Sequence, residues 1–285
     1  MTRSPETSAF SGEVEIGLVK KTRQDRNRNF DLVIFDCDGV LVDSEVISCR
    51  AHAEVLSRHG YPIDAGQVFQ RFLGRSTRQA NLEIEAELGR SLPDDYHVQL
   101  QDELLRSFEA ELQAVPHIEQ ALDAIAQPVC VASSGSHQRM RVSLGRAGLY
   151  DRFAPNIFSA SQVANGKPAP DLFLFAAARM KVPPGRCLVV EDSIPGITGA
   201  IAAGMAVLGF HGGSHCQPGY AETLRAAGAS ATFSDMRQLP ALMEWIDPPS
   251  LRGGAQAPGP ESRDSGPDAG ISPRNKGPDA GFSVL

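Results

Sequence analysis

The 285-residue sequence contains no apolar run of the ~18 residues that a membrane-spanning helix needs. The start of the chain lacks the basic residues followed by an apolar stretch that mark a secretory leader. A basic excess is also missing. The formal net charge is -7, which speaks against a nucleic-acid binder. Cysteines are few: Cys37, Cys49, Cys130, Cys187 and Cys216 are scattered, odd in number and never in CxxC spacing. A disulfide framework and a zinc site are therefore not expected, and the pattern suits a reducing cytoplasm, with most of these thiols as small buried apolar side chains.

What is present is apolar residues, 42% of the chain, sufficient for one large core or two modest ones. Residues 1–28 mix charges without an apolar period and read as a disordered extension. From about residue 249 the chain turns rich in Pro, Gly and Ser, with "GPDAG" at 266–270 and again at 277–281. Two copies of so short a string build no solenoid, so residues 249–285 read as a disordered tail.

Between the ends, strand and helix signals alternate. "DLVIFD" (31–36) is a continuous apolar run, as in a parallel strand covered on both faces. "PVCVASS" (128–134), "RCLVVEDS" (186–193), "MAVLGF" (205–210) and the weaker "ATFS" (231–234) follow. Helical patterns separate them: "SHQRMRVSLGRAG" with a stop at Gly148, "APDLFLFAAARMK" with Pro170 in its first turn, and "SIPGITGAIAAGM", whose glycines imply close packing on a sheet. The alternation predicts an α/β fold with a doubly wound parallel sheet, in which ligands bind beyond the carboxyl ends of the strands. The core is expected over residues 29–44 and 113–248. Residues 45–112 read as four helices with stops at Gly60, Gly74 and Gly89, a helical cap placed to shield that edge from water.

In "VIFDCDGVLVDSE" (33–45) an apolar strand ends in two aspartates, Asp36 and Asp38. Carboxylates this close repel unless a cation or a proton intervenes. The other strand ends supply Ser133 and Ser134, then Glu191 and Asp192, while the loop "NGKPAPD" supplies Lys167. Hard oxygen ligands in such number suit Mg²⁺. Serine hydroxyls and backbone N–H groups at a helix start suit phosphate, and Lys167 offers a point charge to a phosphoryl oxygen. Asp36 is then placed to attack phosphorus. Asp38 returns to the same side in an extended backbone and is placed to pass a proton to the leaving alcohol and take one from water. Cys37, between them, is expected to point into packing.

In this order, "DCDGVLVDSE", "VASSG", "GKPAPD" and "VVEDSIPG" match the four motifs of the haloacid-dehalogenase-like hydrolases, and the chain resembles that superfamily over roughly residues 30 to 211. The resemblance implies that Asp36 becomes phosphorylated and that Asp38 acts as acid and base. It further implies that Mg²⁺ is bound by Asp36, the backbone carbonyl of Asp38, Asp192 and Glu191, the last directly or through water. Ser133 and Lys167 match the phosphate-binding positions. The helices after the first motif resemble the small cap of the sugar-phosphatase and mutase branch. Dehalogenases and phosphonatases of the superfamily lack the second aspartate, so Asp38 speaks against both. β-Phosphoglucomutases carry a lysine before the cap-loop glycine and a histidine soon after the first motif, where this chain has Leu73 and Ser48. Hydrolysis leads, with a likeness to bacterial sugar-phosphate phosphatases of the 6-phosphogluconate type, and a phosphomutase is the enzyme alternative.

In "RFLGRSTR", Arg75, Arg71 and Arg78 are the cap candidates for an anionic substrate. Asp43 and Ser44 are expected to cap the helix entering the cap, Asp171 to serve a helix dipole and His137 to lie on a helix surface. "HGGSH" (211–215) is expected to be a loop, and Trp245 to pack at the core or its rim. The expected partner is a small phosphorylated metabolite, with neither nucleic acid nor membrane, in a monomer or weak homodimer. Outside enzymes, a phospho-acceptor receiver also uses Mg²⁺, an acceptor Asp, a hydroxyl and a Lys, but it places its acidic pair before its acceptor and has no helical insert. A non-catalytic binder would more readily have lost Asp36 or Lys167.

Overall fold

The computed structural model describes residues 29–72, 75–249 and 283–284, the side chains at 75–77 and 283–284 excepted. The disorder expected in 1–28 and from 250 onward therefore falls outside the described residues, apart from a two-residue antiparallel pairing of Ser283–Val284 with Arg75–Ser76.

Six parallel strands form one sheet. They are β1 (Leu32–Phe35), β2 (Val129–Ser133), β3 (Ile157–Ser159), β4 (Cys187–Glu191), β5 (Ala206–Phe210) and β6 (Ala231–Phe233), in the order β3-β2-β1-β4-β5-β6. The first strand is central, with Val33 opposite Val129 on one side and Leu188 on the other. Its residues alternate between two cores. Leu32 and Ile34 pack with Leu172, Phe173 and Ile197, whereas Val33 and Phe35 pack with Met140, Leu144 and Phe153. A strand buried on both faces needs no polar alternation, which is why "LVIF" is apolar throughout. The parity carries past the strand end. Asp36 emerges on the side of Ile34, and Cys37 turns to the other side, fully buried with Sγ 3.8 Å from Ser143 Oγ.

Four helices separate β1 from β2: α1 (Glu45–Arg58), α2 (Ala65–Phe72), α3 (Thr77–Leu88) and α4 (Tyr96–Glu111). They are followed by α5 (Ile118–Ala124), α6 (His137–Arg146), α7 (Tyr150–Phe153), α8 (Asp171–Met180), α9 (Ile194–Ala202), α10 (Tyr220–Ala226) and α11 (Leu239–Trp245). The first helix packs on α2 and α4, and α4 leans on α6. In the tight packing of α9, a Cβ on Gly199 would stand 3.0 Å from the carbonyl oxygen of Ala169.

Four local expectations need correction. Strand β3 was not anticipated, since three residues are too few to show a period. Pro170 is the residue before α8 rather than within its first turn. Trp245 ends α11 with 64% of its surface exposed, so it packs in neither core nor rim. Asp43 and Ser44 do not cap α1 through their side chains, because Ser44 Oγ donates to Asp38 and Asp43 accepts from Ser214 of a distant loop. His137 is exposed at the start of α6, as expected.

Candidate active site

Strands β1, β2 and β4 end side by side, so their following residues meet at one edge. Asp36, Glu191 and Asp192 are all buried, and each places an oxygen within 4.8 Å of the others. Lys167 enters from the loop before α8. Its Nζ donates to Asp36 Oδ1 at 2.6 Å and to Glu191 Oε1 at 2.7 Å. The second oxygen of Glu191 accepts from Ser193 N at 2.7 Å and from Ser193 Oγ at 2.9 Å. Ser193 in turn caps α9, accepting from Gly196 N. The glutamate is thereby held at both oxygens, and only glycine fits at 196, where a Cβ would fall 1.7 Å from Glu191 Oε1.

Asp38 is held apart from this cluster. Its Oδ1 accepts from Ser44 Oγ at 2.7 Å and pairs with Arg139 Nη2 at 3.1 Å. Arg139, on α6, also reaches Ser48 Oγ at 3.4 Å and lies 5.1 Å from the centre of the Phe108 ring on α4. Asp43 accepts from both the N–H and the hydroxyl of Ser214, tying the 211–216 loop to the entry of α1. That loop delivers His215, buried, with Nε2 3.2 Å from Asp192 Oδ2. At the end of β2, buried Ser133 accepts from Gly135 N at 3.0 Å, a bond that leaves its hydroxyl proton unused. Ser134 is half-buried beside it.

Burial drives the electrostatics. Desolvation pushes Asp36 well above the usual carboxylate range, opposed by the Lys167 ammonium and reinforced by Glu191 and Asp192. Asp192 is raised in the same way, by burial and then by Glu191. Burial works against Lys167, but Asp36 and Glu191 outweigh it and raise its pKa. Four carboxylates thus face two cations, Lys167 and Arg139. At an effective dielectric near 20, two carboxylate charges 4.8 Å apart repel by about 3 kcal/mol. A hard divalent cation fits both the two uncompensated charges and the all-oxygen donor set.

The structure thus brings together Asp36, Asp38, Ser133, Lys167, Glu191 and Asp192. It does not bring Arg71 to this edge. That guanidinium is bound by Glu83 at 2.7 Å, by Glu87 at 2.5 Å and by Tyr61 Oη at 2.7 Å. Arg78 is exposed on α3, and the side chain of Arg75 lies outside the described residues. Sequence reasoning missed Arg139, Ser44 and His215 as members of the site.

A model of the haloacid dehalogenase-like hydrolase family matches residues 30–204. The 6-phosphogluconate phosphatase of Escherichia coli is 35% identical over 214 residues, covering 74% of this chain and 94% of that one. The phosphorylated carbohydrates phosphatase of Thermotoga maritima is 31% identical over 180 residues, covering 61% and 82%. Among solved structures, a haloacid dehalogenase-like protein of unknown function from Agrobacterium tumefaciens superimposes with a TM-score of 0.68 at 41% identity, covering 75% of this chain and 97% of that one. A hydrolase from Deinococcus radiodurans with bound phosphate and sodium gives 0.64 at 30% identity, covering 76% and 97%.

Proposed function

The chain belongs to the haloacid dehalogenase-like hydrolase family and is a phosphoric monoester hydrolase, and from that premise we propose that it cleaves a small sugar phosphate or phosphorylated sugar acid through a phospho-Asp36 intermediate. The observation that carries this reading is the division of labour between two aspartates one residue apart. Asp36 sits with Lys167 among the acids, and Asp38 sits apart with Ser44 and Arg139. The relatives named for 6-phosphogluconate and for phosphorylated carbohydrates support the substrate class.

The Asp36 carboxylate attacks phosphorus while Asp38 gives its proton to the departing oxygen of the alcohol. Lys167 and the Ser133 hydroxyl hold phosphoryl oxygens, with Ser134 and the backbone N–H groups at the start of α6 alongside. Asp38, now a carboxylate, takes a proton from the water that attacks the phosphorus of phospho-Asp36, and inorganic phosphate leaves as the Asp36 carboxylate is restored. Asp36, Glu191, Asp192 and the Asp38 carbonyl would hold Mg²⁺, which when bound supplies positive charge for the carboxylates and the phosphoryl oxygens. Helices α1–α4 act as a lid over this edge.

Among the described residues no helix is long and apolar enough to cross a membrane. The five cysteines are all unpaired, which supports a reducing cytoplasm; a monomer or weak homodimer is the proposed state. A phosphomutase finds no support at position 48, where the residue is a buried serine next to Arg139. The test is Asp36→Asn, which should abolish hydrolysis of p-nitrophenyl phosphate, alongside acid-quenched turnover of the wild type, which should trap an acyl phosphate. Wild-type turnover in the variant overturns the reading.

A further inference from the structure

The loop "HGGSHC" (211–216) follows β5 and lies beyond residues 30–204, which the family model matches. It supplies no group to the reaction described above, yet it is fitted closely against the strand-end site. Asp43 Oδ1 accepts from the Ser214 N–H at 3.1 Å and from its hydroxyl at 2.8 Å, which anchors the loop. Gly212 has no room for a side chain, since a Cβ there would stand 2.1 Å from the Ser234 carbonyl oxygen. Gly213 has none either: a Cβ would stand 2.8 Å from Cε1 and from Nδ1 of His215, and 3.3 Å from the Gly39 carbonyl oxygen. On the other side, a Cβ on Gly39 would lie 3.1 Å from His215 Cε1. The imidazole thus fills a slot bordered by two glycines, one in the loop and one next to Asp38, and it is buried there.

The slot aims the ring at one carboxylate. His215 Nε2 is 3.2 Å from Asp192 Oδ2. Cys216 Sγ lies 3.4 Å from the same nitrogen, but a thiol is a weak partner and a carboxylate a strong acceptor, so the Nε2–H goes to Asp192. The backbone carbonyl of Asp192 accepts from Tyr220 Oη at 2.9 Å, so the segment 211–220 braces this residue at both its side chain and its main chain. The other two acids of the cluster are steadied differently. Lys167 binds Oδ1 of Asp36, and Lys167 and Ser193 together occupy both oxygens of Glu191. Asp192 has no lysine contact of this kind. An aspartate carboxylate turns over a broad range about its last torsion unless something holds one oxygen, and here His215 does so.

We infer that His215 is a positioning residue for the metal: it fixes Oδ2 of Asp192 so that the other oxygen of that carboxylate is presented to Mg²⁺. The inference rests on the phosphatase reading above and extends its metal site to a loop outside the matched motifs. It also gives the two glycines of the loop a purpose, since a side chain at 213 would push the ring out of line. Groups that hold a metal ligand from behind set its orientation, and losing one commonly costs about 10–100-fold in metal affinity.

The test titrates Mg²⁺ alone, without substrate, into the full chain by calorimetry. His215→Leu should raise the Kd for Mg²⁺ about 10–100-fold. His215→Gln, whose amide N–H reaches about as far as the Nε2–H, should bind Mg²⁺ clearly more tightly than His215→Leu. His211→Leu, in the same loop but away from the site, should stay within about threefold of wild type. Gly213→Ala keeps the imidazole but displaces it, and should weaken Mg²⁺ binding by at least about threefold; it decides the matter where His215→Leu does not fold. On p-nitrophenyl phosphate, His215→Leu should need more Mg²⁺ for half-maximal rate by the factor seen in the titration, with a smaller change in KM. Unchanged Mg²⁺ affinity in His215→Leu overturns the inference. So does His215→Gln binding as weakly as His215→Leu, or an equal loss in His211→Leu, since the folding of the loop and not the imidazole would then be responsible. A wild-type protein that binds Mg²⁺ but hydrolyses no phosphomonoester defeats the phosphatase reading instead, and the affinities still judge His215.

Discussion

Gly39 follows Asp38 with φ +75°, and an added Cβ would stand 1.8 Å from Asp192 Oδ2 and 2.8 Å from its Cγ. Gly204, just beyond α9, has nearly the same backbone, φ +74°, with nothing within 4 Å of where a Cβ would stand. The pair separates two effects of one substitution. Alanine in the left-handed region costs about 1–2 kcal/mol whatever its surroundings, so both Gly→Ala variants should lose roughly 2–8 °C in Tm for a domain of this size. Only Gly39→Ala must also move a carboxylate. Restoring an ordinary contact of about 3.5 Å requires the Asp192 carboxylate to shift by roughly 1.7 Å. That carboxylate cannot swing freely, because His215 holds Oδ2 at 3.2 Å and Tyr220 Oη holds its backbone carbonyl at 2.9 Å. A 1 Å misplacement in a preorganised site commonly lowers the rate about a hundredfold. Gly39→Ala is therefore expected to lose at least that much kcat/KM on p-nitrophenyl phosphate and to need more Mg²⁺ for half-maximal rate. Gly204→Ala should stay within threefold of wild type. Comparable activity in the two variants would refute the claim that Gly39 exists to let Asp192 reach the strand-end site.

Two further outcomes follow from buried groups near that edge. Glu45 is buried with Oε2 unpartnered, and burial, then Asp38 and Asp192, push its pKa up to about 8. A carboxyl raised on folding binds its proton more tightly in the native state, so the stability linked to it is whole below the unfolded value of 4.5 and is lost as pH rises toward 8. Glu45→Gln should match the wild type closely near pH 4 and exceed it by roughly 4 kcal/mol at pH 8 in urea unfolding without divalent cations; a gap independent of pH would contradict this. Ser44→Ala removes the 2.7 Å hydroxyl donor that orients Asp38. A hydrogen bond to a charged group contributes about 1.5–3 kcal/mol, so kcat on phenyl phosphate should fall roughly ten- to a hundredfold, and fall less on acetyl phosphate, whose leaving group needs no proton. Equal losses on both would show that Ser44 does not act through the acid.

How much of this was legible beforehand depended on whether a residue announced itself locally. The central strand did so because both its faces are buried, leaving "LVIF" uninterrupted. Helix ends did so because Gly60, Gly89 and Gly148 take positive φ just past α1, α3 and α6, where other residues would be strained. Strand β3 did not, since three residues of "IFS" owe their conformation to pairing with Val131, Ala132 and Ser133 rather than to their own pattern. Trp245 misled because an aromatic on an amphipathic helix is usually inward, and here the helix has only its other face to bury, through Leu239 and Met243.

The same division runs through the site. Asp36, Ser133, Glu191 and Asp192 sit at or just past strand ends, and parallel strands in register must deliver them to one edge, so topology alone brings them together. Arg139, Ser44 and His215 come from a helix, the entry of the insert and a distant loop, and each has a bland local reading: a helix-face cation, a cap, a turn histidine. Ser44 shows why the bland reading failed. A serine at that position can turn its Oγ toward the backbone N–H groups of α1, accepting from them, or toward a carboxylate, donating to it, and the bond to an ionised acceptor is the stronger. Asp38 Oδ1 accepts from the hydroxyl at 2.7 Å, and in the rotamer that makes this bond Oγ accepts from no backbone N–H of α1. Residues that orient Asp38, the proposed acid, are therefore recruited by the field of the acids themselves, once the strand ends have gathered those acids in one place, and that field exists only in the folded chain.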